Sequence, residues 1–362
     1  MVTPPFGQCA NGSFMSNRNR GRPWIPKAAY ARRLVQFVSG AALLSCLCQP
    51  GIAADKVSIM VGGIEKQIYL PAKLADRLGY FKEQGLTVEL LTEPAGVNAE
   101  DVLLAGVVQG VVGFYDHTIE LQARGKAVQS VVQLSVAPGE VELVSVKMAK
   151  QIASPADFQG KRLGVTGLGS STHFLTQYLA VSNGVKISEI SFVPVDAGDK
   201  FIAAMRNGMI DAGMTTEPTA SRMLKSGEAR ILIDLRSPEA TVRALGGVYP
   251  SACLYMQTKW VNTHKPVVQK LANAFVRALR YIETHDADEI ATHMPAEYYA
   301  GDRDVYVQAL AHGKAMFTTD GRMPESGPPT VLKVLSAFDK NVQGKRVDLS
   351  QTYTTEFVTA AK

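Results

Sequence analysis

Apolar residues recur along this chain with two periods that take turns. From residue 56, Val57, Ile59 and Val61 alternate with Lys56, Ser58 and Met60, the period of a strand. Gly62-Gly63 follows, where glycine permits a tight turn or a close ligand. Pro71 then opens a helix in which Leu70, Leu74, Leu78 and Phe81 recur at helical spacing, and Gly79 ends it. The same reading predicts strands at 86–91, 111–114, 128–136 and 141–146, with short helices at 102–104 and 118–123 between them. It then repeats: strands at 163–165, 191–195, 212–215 and 230–235, with helices from 173, 200 and 218. Strands alternating with helices imply mainly parallel sheets covered on both faces. Two such runs, over about 55–145 and 150–240, predict two α/β lobes.

Beyond a last strand at 252–257 the pattern is helical, at 265–284, 286–293, 303–316 and 330–340. These helices have no sheet of their own and are expected to pack back onto the first lobe. The division is then 1–54 as a leader, 55–146 as the first part of lobe 1, 147–246 as lobe 2, and 247–362 as the return to lobe 1 with its C-terminal helices. The crossings, near 146–150 and 242–252, would form a hinge.

Charge changes the picture at one end only. The 362 residues carry 46% hydrophobic and 20% charged residues, a globular balance sufficient for two domains. The formal charge of +5 comes from residues 1–54, which hold six basic residues and no acid; without those six, 32 of the 38 Lys and Arg remain against 33 acids. The remainder is near neutral, which speaks against a nucleic-acid-binding surface. Arg32 and Arg33 precede an apolar run, 34–48, too short and interrupted for a membrane span. Gly51, Ala53 and Ala54 supply small residues for cleavage, so the pattern predicts a signal peptide removed before Asp55, with Met15 as an alternative start. Leu43-Leu44-Ser45-Cys46 loosely matches a lipoprotein box that would anchor the chain through Cys46, and Arg32-Arg33 a weak twin-arginine signal. Cys9, Cys46 and Cys48 lie in the leader, which leaves Cys253 alone in an apolar strand, read as a small buried hydrophobe. No zinc-type cluster of Cys and His is visible.

The most suggestive stretch is 161–172. Leu163 and Val165 form a short strand, Gly167 and Gly169 a turn, and Ser170, Ser171 and Thr172 open the helix that runs on from His173. The first helical turn has free N–H groups and partial positive charge, so the segment offers a seat for an oxyanion. Ser170 or Ser171 as an ordinary N-cap explains the same residues.

Leu70-Pro71-Ala72, Leu78-Gly79-Tyr80-Phe81-Lys82-Glu83-Gln84-Gly85-Leu86, Asp157-Phe158-Gln159-Gly160-Lys161-Arg162-Leu163-Gly164-Val165 and Thr216-Glu217-Pro218 occur in this order after an export signal. The chain thereby resembles the exported substrate-binding proteins of nitrate/taurine/sulfonate-type (NitT/TauT) ABC transporters, a group that includes pyrimidine- and riboflavin-binding relatives. The resemblance implies a two-lobed periplasmic binding protein fold (type II), each lobe a mixed, mainly parallel sheet flanked by helices. It implies a monomer without cofactor or metal, closing on a small molecule and docking on a permease in the inner membrane. Ligands of open α/β sheets sit at the carboxyl ends of the strands.

Four turns occupy such positions. They are Gly63, Ile64 and Lys66; Tyr115, Asp116 and His117; Gly169, Ser170, Ser171 and Thr172; and Thr216 with Glu217. Tyr115 is expected to stack on or hydrogen-bond a ligand, and Asp116 alternatively to cap a helix. Lys66, His117, Ser170 and Ser171 suit a sulfonate or carboxylate, whereas Glu65, Asp116 and Glu217 ask for an amine or other donors. A taurine-like zwitterion or a pyrimidine-like heterocycle fits that mixture as well as a plain anion. Two other functions share the fold: a thiamine-pyrimidine-biosynthesis-like enzyme, which the lone Cys253 and the export signal disfavour, and a ligand-sensing input domain.

Overall fold

The computed structural model describes residues 55–361; the expected leader, with the expected cleavage site and Cys46, lies outside the described residues. Ten strands form two five-stranded sheets. The first contains β1 (Asp55–Val61), β2 (Leu86–Thr92), β3 (Gly110–Phe114), β4 (Val128–Gln133) and β10 (Ala252–Gln257), in the order β2-β1-β3-β10-β4. The second contains β5 (Glu140–Ser145), β6 (Arg162–Val165), β7 (Ser191–Pro194), β8 (Ala212–Thr216) and β9 (Ala229–Asp234), in the order β7-β6-β8-β5-β9.

The two orders are the same. In each, three parallel strands wind out and back, an antiparallel strand comes next, and a single fifth strand pairs on its far side. In the first sheet that antiparallel strand is β10, which arrives after the second sheet is complete. In the second it is β5, which precedes it. β5 therefore belongs to the second sheet and not to the first run, and the chain crosses at 134–139, earlier than the expected 146–150. Pro138-Gly139 marks a turn from the sequence, but a turn reads the same whether the chain reverses in its own sheet or leaves for another. The return crossing, 235–251, overlaps the expected 242–252 up to the start of β10 and contains a helix, Pro238–Leu245. The two crossings run side by side. Ala252 N donates to Ser135 Oγ (2.9 Å), Ser251 N to Ser135 O (3.1 Å), and Gly139 N to Leu235 O (2.9 Å).

Central strands such as Gly110–Phe114, Glu140–Ser145 and Ala212–Thr216 are buried along their whole length, as expected for sheets covered on both faces. The helix Lys265–Thr284 lays Leu271, Phe275 and Leu279 on the first sheet, and Phe275 meets Phe81 edge to face at 5.4 Å. Not every C-terminal helix returns there alone. Gly327–Ser336 and Phe338 pack both on Ile119, beside the first sheet, and on Phe174 and Leu175, beside the second. Cys253 is buried in β10, its thiol pushed up by burial. No helix among the described residues is long and apolar enough to cross a membrane.

Candidate functional site

The rims at the carboxyl ends of the parallel strands meet. Gln67 N, beyond β1, donates to Glu217 O, beyond β8 (3.1 Å). A Cβ built on Gly167 would lie 2.9 Å from Ala95 Cβ, and one on Gly169 3.4 Å from Val97 Cγ2, so glycines let the second rim seat against the first.

On the first rim, Gly63 has φ +104°, which favours glycine, and the Lys66 chain folds back over it. Lys66 is buried, its ammonium donating to Gly62 O (2.8 Å) and Pro94 O (2.7 Å); burial lowers its pKa. Ile64 N donates to Thr92 Oγ1 (3.1 Å), and the Ile64 side chain packs on the core. Tyr115, expected at a ligand, points away from the rim. Its hydroxyl bonds Thr352 Oγ1 and its ring meets Tyr353 edge to face, because the C-terminal segment covers this end of β3 and offers an apolar bed. Asp116 lies in the first turn of the helix Asp116–Ala123 and forms no cap bond. Its Oδ2 accepts from Tyr249 (3.1 Å), its Oδ1 has no partner, and burial pushes the carboxyl up to about 7. His117 rests on Gly96, where a Cβ would sit 2.8 Å from its Cε1. Burial pulls it down to about 4, so it is neutral at pH 7 and its Nε2 is unpartnered.

The second rim is ordered by its own hydroxyls. Thr166 Oγ1 lies 2.9 Å from both Ser170 Oγ and Thr172 Oγ1, Thr166 N donates to Thr172 Oγ1 (3.0 Å), and Ser170 Oγ donates to Gly167 O (2.6 Å). Ser170 stands at the N-cap of the helix Ser171–Ser182 without a side-chain cap bond. Gly169, at φ +91°, donates its N–H to His173 Nδ1 (3.0 Å). Ser171 Oγ donates to Glu140 Oε1 (2.6 Å), so the helix N-terminus that sequence offered to a ligand anion already has a carboxyl of the protein beside it. Glu140 Oε2 has no partner, and burial pushes this carboxyl up to about 8. Thr216 stands opposite Glu140 in the β5–β8 register, and its Oγ1 too is buried and unpartnered. Glu217 is engaged. Arg236 Nη1 (2.8 Å) and Ser221 Oγ (2.9 Å) donate to its Oε1, and Ser221 N to its Oε2 (2.9 Å).

The fold thus brings Lys66, Asp116, His117, Ser171 and Thr216 to the junction. It turns Tyr115 into the core and ties Ser170, Thr172 and Glu217 into the rim itself. Sequence reading missed Glu140, Tyr249 and Gln67. A usable signal existed for Glu140: an acid at the very start of an apolar strand in a doubly covered sheet has little water to face.

Residues 69–288 match the model of the family described as NMT1/THI5 like. The chain belongs to the NMT1/THI5-like family. A solved protein of Bordetella bronchiseptica RB50 is 35% identical to it, covering 84% of this chain and 96% of its own, with a TM-score of 0.81. The alkanesulfonate-binding protein SsuA of Xanthomonas axonopodis pv. citri, solved bound to MOPS, shares the fold at 18% identity, a TM-score of 0.64 and coverage of 83% and 98%. Among curated proteins, a 4-amino-5-hydroxymethyl-2-methylpyrimidine phosphate synthase of Saccharomyces cerevisiae is 27% identical over 169 residues, 46% of this chain and 47% of the synthase. The match spans about half the length of such curated relatives. This NMT1/THI5-like chain therefore has the two-lobed binding-protein fold, with two mixed sheets flanked by helices.

Proposed function

We propose that this chain is an exported solute-binding protein. It captures one small polar organic molecule between the rims of its two sheets and delivers it to an ABC permease in the inner membrane. The observation that carries the reading is the set of buried polar atoms without partners at the junction: Asp116 Oδ1, His117 Nε2, Glu140 Oε2 and Thr216 Oγ1. Buried polar groups are nearly always paired, so such a concentration marks groups held for something that binds. The paired crossings, 134–139 and 235–251, act as the hinge on which the lobes open and close. The leader directs export, and the mature chain works in the periplasm as a monomer.

The family match favours a second reading, a synthase. It asks for reactive groups, and Cys253 is buried with a thiol pushed up by burial, the opposite of an activated nucleophile. The test is thermal unfolding of the purified protein against small sulfonates, zwitterions, amines, carboxylates and pyrimidines. A ligand at 100 times its Kd stabilises by about 2.7 kcal/mol. One chemical class should raise Tm; turnover of a substrate by a protein that no compound stabilises would overturn the reading.

A further inference from the structure

We propose that the group lodged between Asp116 of the first rim and Glu140 of the second is a protonated nitrogen donor, an ammonium or amidinium, and not a sulfonate or other oxyanion. This rests on the solute-capture reading and names the chemistry of the same site.

Asp116 and Glu140 are 0% and 1% exposed, and each has one oxygen held inside the protein, by Tyr249 and by Ser171, and one with no partner. Once ionised, each carboxyl only accepts, so its buried free oxygen then calls for a donor from the ligand. An oxyanion brings acceptors alone. The helix N-terminus that would have welcomed it has Glu140 beside it, fixed by Ser171. The nearby cation, Lys66, already donates to two backbone carbonyls, and it stands against two carboxyls. His117 is neutral and adds no positive charge. The Asp116 carboxyl raises Glu140, and both raise Tyr69 and Tyr249. A cation between them relieves both.

Proton linkage follows with a definite sign. In the free protein Asp116, faced by Tyr249, His117, Glu120 and Glu100, and Glu140, faced by Ser171, Thr216, Lys66, Glu142 and Asp116, both titrate near neutrality, at about 7 and about 8. A bound cation favours the ionised carboxyls, so protons leave on binding. Affinity then rises with pH between about 6 and 8, by up to about tenfold per unit for each proton displaced. For an oxyanion the protonated carboxyls would be the donors, and affinity would fall over the same range.

The purified protein is tested against two matched sets, benzylamine, benzamidine and taurine on one side and benzoate, benzenesulfonate and ethanesulfonate on the other. Melting shifts and calorimetric titration are read at pH 6, 7 and 8. The expected result is a shift within the first set only, an affinity that increases with pH, and a loss of roughly 30-fold or more in Asp116→Asn and Glu140→Gln, as for one partner of a buried charge pair. Both variants preserve shape, and their melting without probe reports whether they fold. Shifts confined to the second set, or an affinity that falls with pH, overturn the inference and leave solute capture standing. No shift with either set counts against both.

Discussion

The two rims stand on sheets of the same strand order, yet they treat their polar groups in opposite ways. The hydroxyl turn of the second rim satisfies itself. Thr166, Ser170 and Thr172 bond one another, and Glu217 is held by Arg236 and Ser221. The first rim leaves Asp116 Oδ1 and His117 Nε2 buried without a hydrogen bond, 3.8 Å from each other. Glu140 and Thr216 break the symmetry. They belong to the second sheet by pairing, but their free atoms share the character of the first rim. Identical topology therefore does not imply identical duty. A turn rich in Ser and Thr is the better scaffold, because its hydroxyls find partners within a few residues. A rim with orphaned acids is the better reader, because its needs are met only by something that arrives.

The sharpest way to break this comparison is to damage the scaffold. Arg236 and Glu217 form an ion pair at 12% and 3% side-chain exposure, with Asp234 on the same guanidinium (2.6 Å). Arg236→Ala leaves Glu217 buried without its cation, and such losses cost about 3–5 kcal/mol. Urea unfolding should show that loss with an unchanged m-value. A cost under about 1 kcal/mol would mean that Glu217 is free to serve a ligand after all.

Next in size is the seat between the rims. Gly167→Ala puts a methyl group 2.9 Å from Ala95 Cβ, closer than two carbons tolerate. Overpacking costs about 1–3 kcal/mol, and here it falls on the closed arrangement. Binding of a probe that stabilises the parent should weaken by about tenfold or more while the melting of the free protein holds. Loss of stability without loss of affinity would place Gly167 in the fold of the loop and not in closure.

Much of this was legible in the residues, and the failures have a common cause. Periodicity located all ten strands, since central parallel strands are apolar runs bounded by turns. It could not say which sheet the strand at 140–145 joins, because pairing is non-local. The strand-end positions of Lys66, Asp116, His117, Ser171 and Thr216 were likewise readable. The direction of a side chain was not: Tyr115 turns inward because Thr352 and Tyr353, far away in sequence, lie over it. Nor could sequence foresee that Ser171 would face Glu140 across 31 positions.

A third prediction separates acids that read a ligand from an acid that is only buried. Glu142, two residues along β5, accepts from Thr176 (2.9 Å), has an unpartnered Oε1, and is pushed up to about 8 by burial. A carboxyl raised in the folded state contributes stability that is intact below about pH 4.5 and lost as pH climbs to about 8, because the unfolded chain ionises first. Glutamine mimics the protonated form. Glu142→Gln should therefore match the parent near pH 4.5 and exceed it near pH 8, by on the order of 1–2 kcal/mol, with ligand affinity intact. Thermal unfolding across that range checks it. A variant weaker at both ends would show that the carboxylate has an essential partner.

The smallest effect concerns the outer edge, where the second sheet's helix Thr219–Lys225 meets the C-terminal helix Arg303–Gly313. Lys225 Nζ lies 2.5 Å from Asp302 Oδ2, an ion pair with side chains 60% and 37% exposed. Exposed pairs contribute about 0–1 kcal/mol, since water screens them and two long side chains must be held still. Its place matters more than its strength, because it bridges the second sheet's layer to a helix whose Tyr306 and Leu310 sit in the core of the first. A latch of this kind acts only on the closed form. Lys225→Ala should then leave the stability of the free protein within about 0.5 kcal/mol and raise the dissociation rate of a bound probe by about twofold, an effect that 1 M salt erases in the parent. An unchanged dissociation rate would leave closure to Gly167 and to the acids at the junction, Asp116 of the first rim and Glu140 of the second, each with an oxygen that no partner within the protein satisfies.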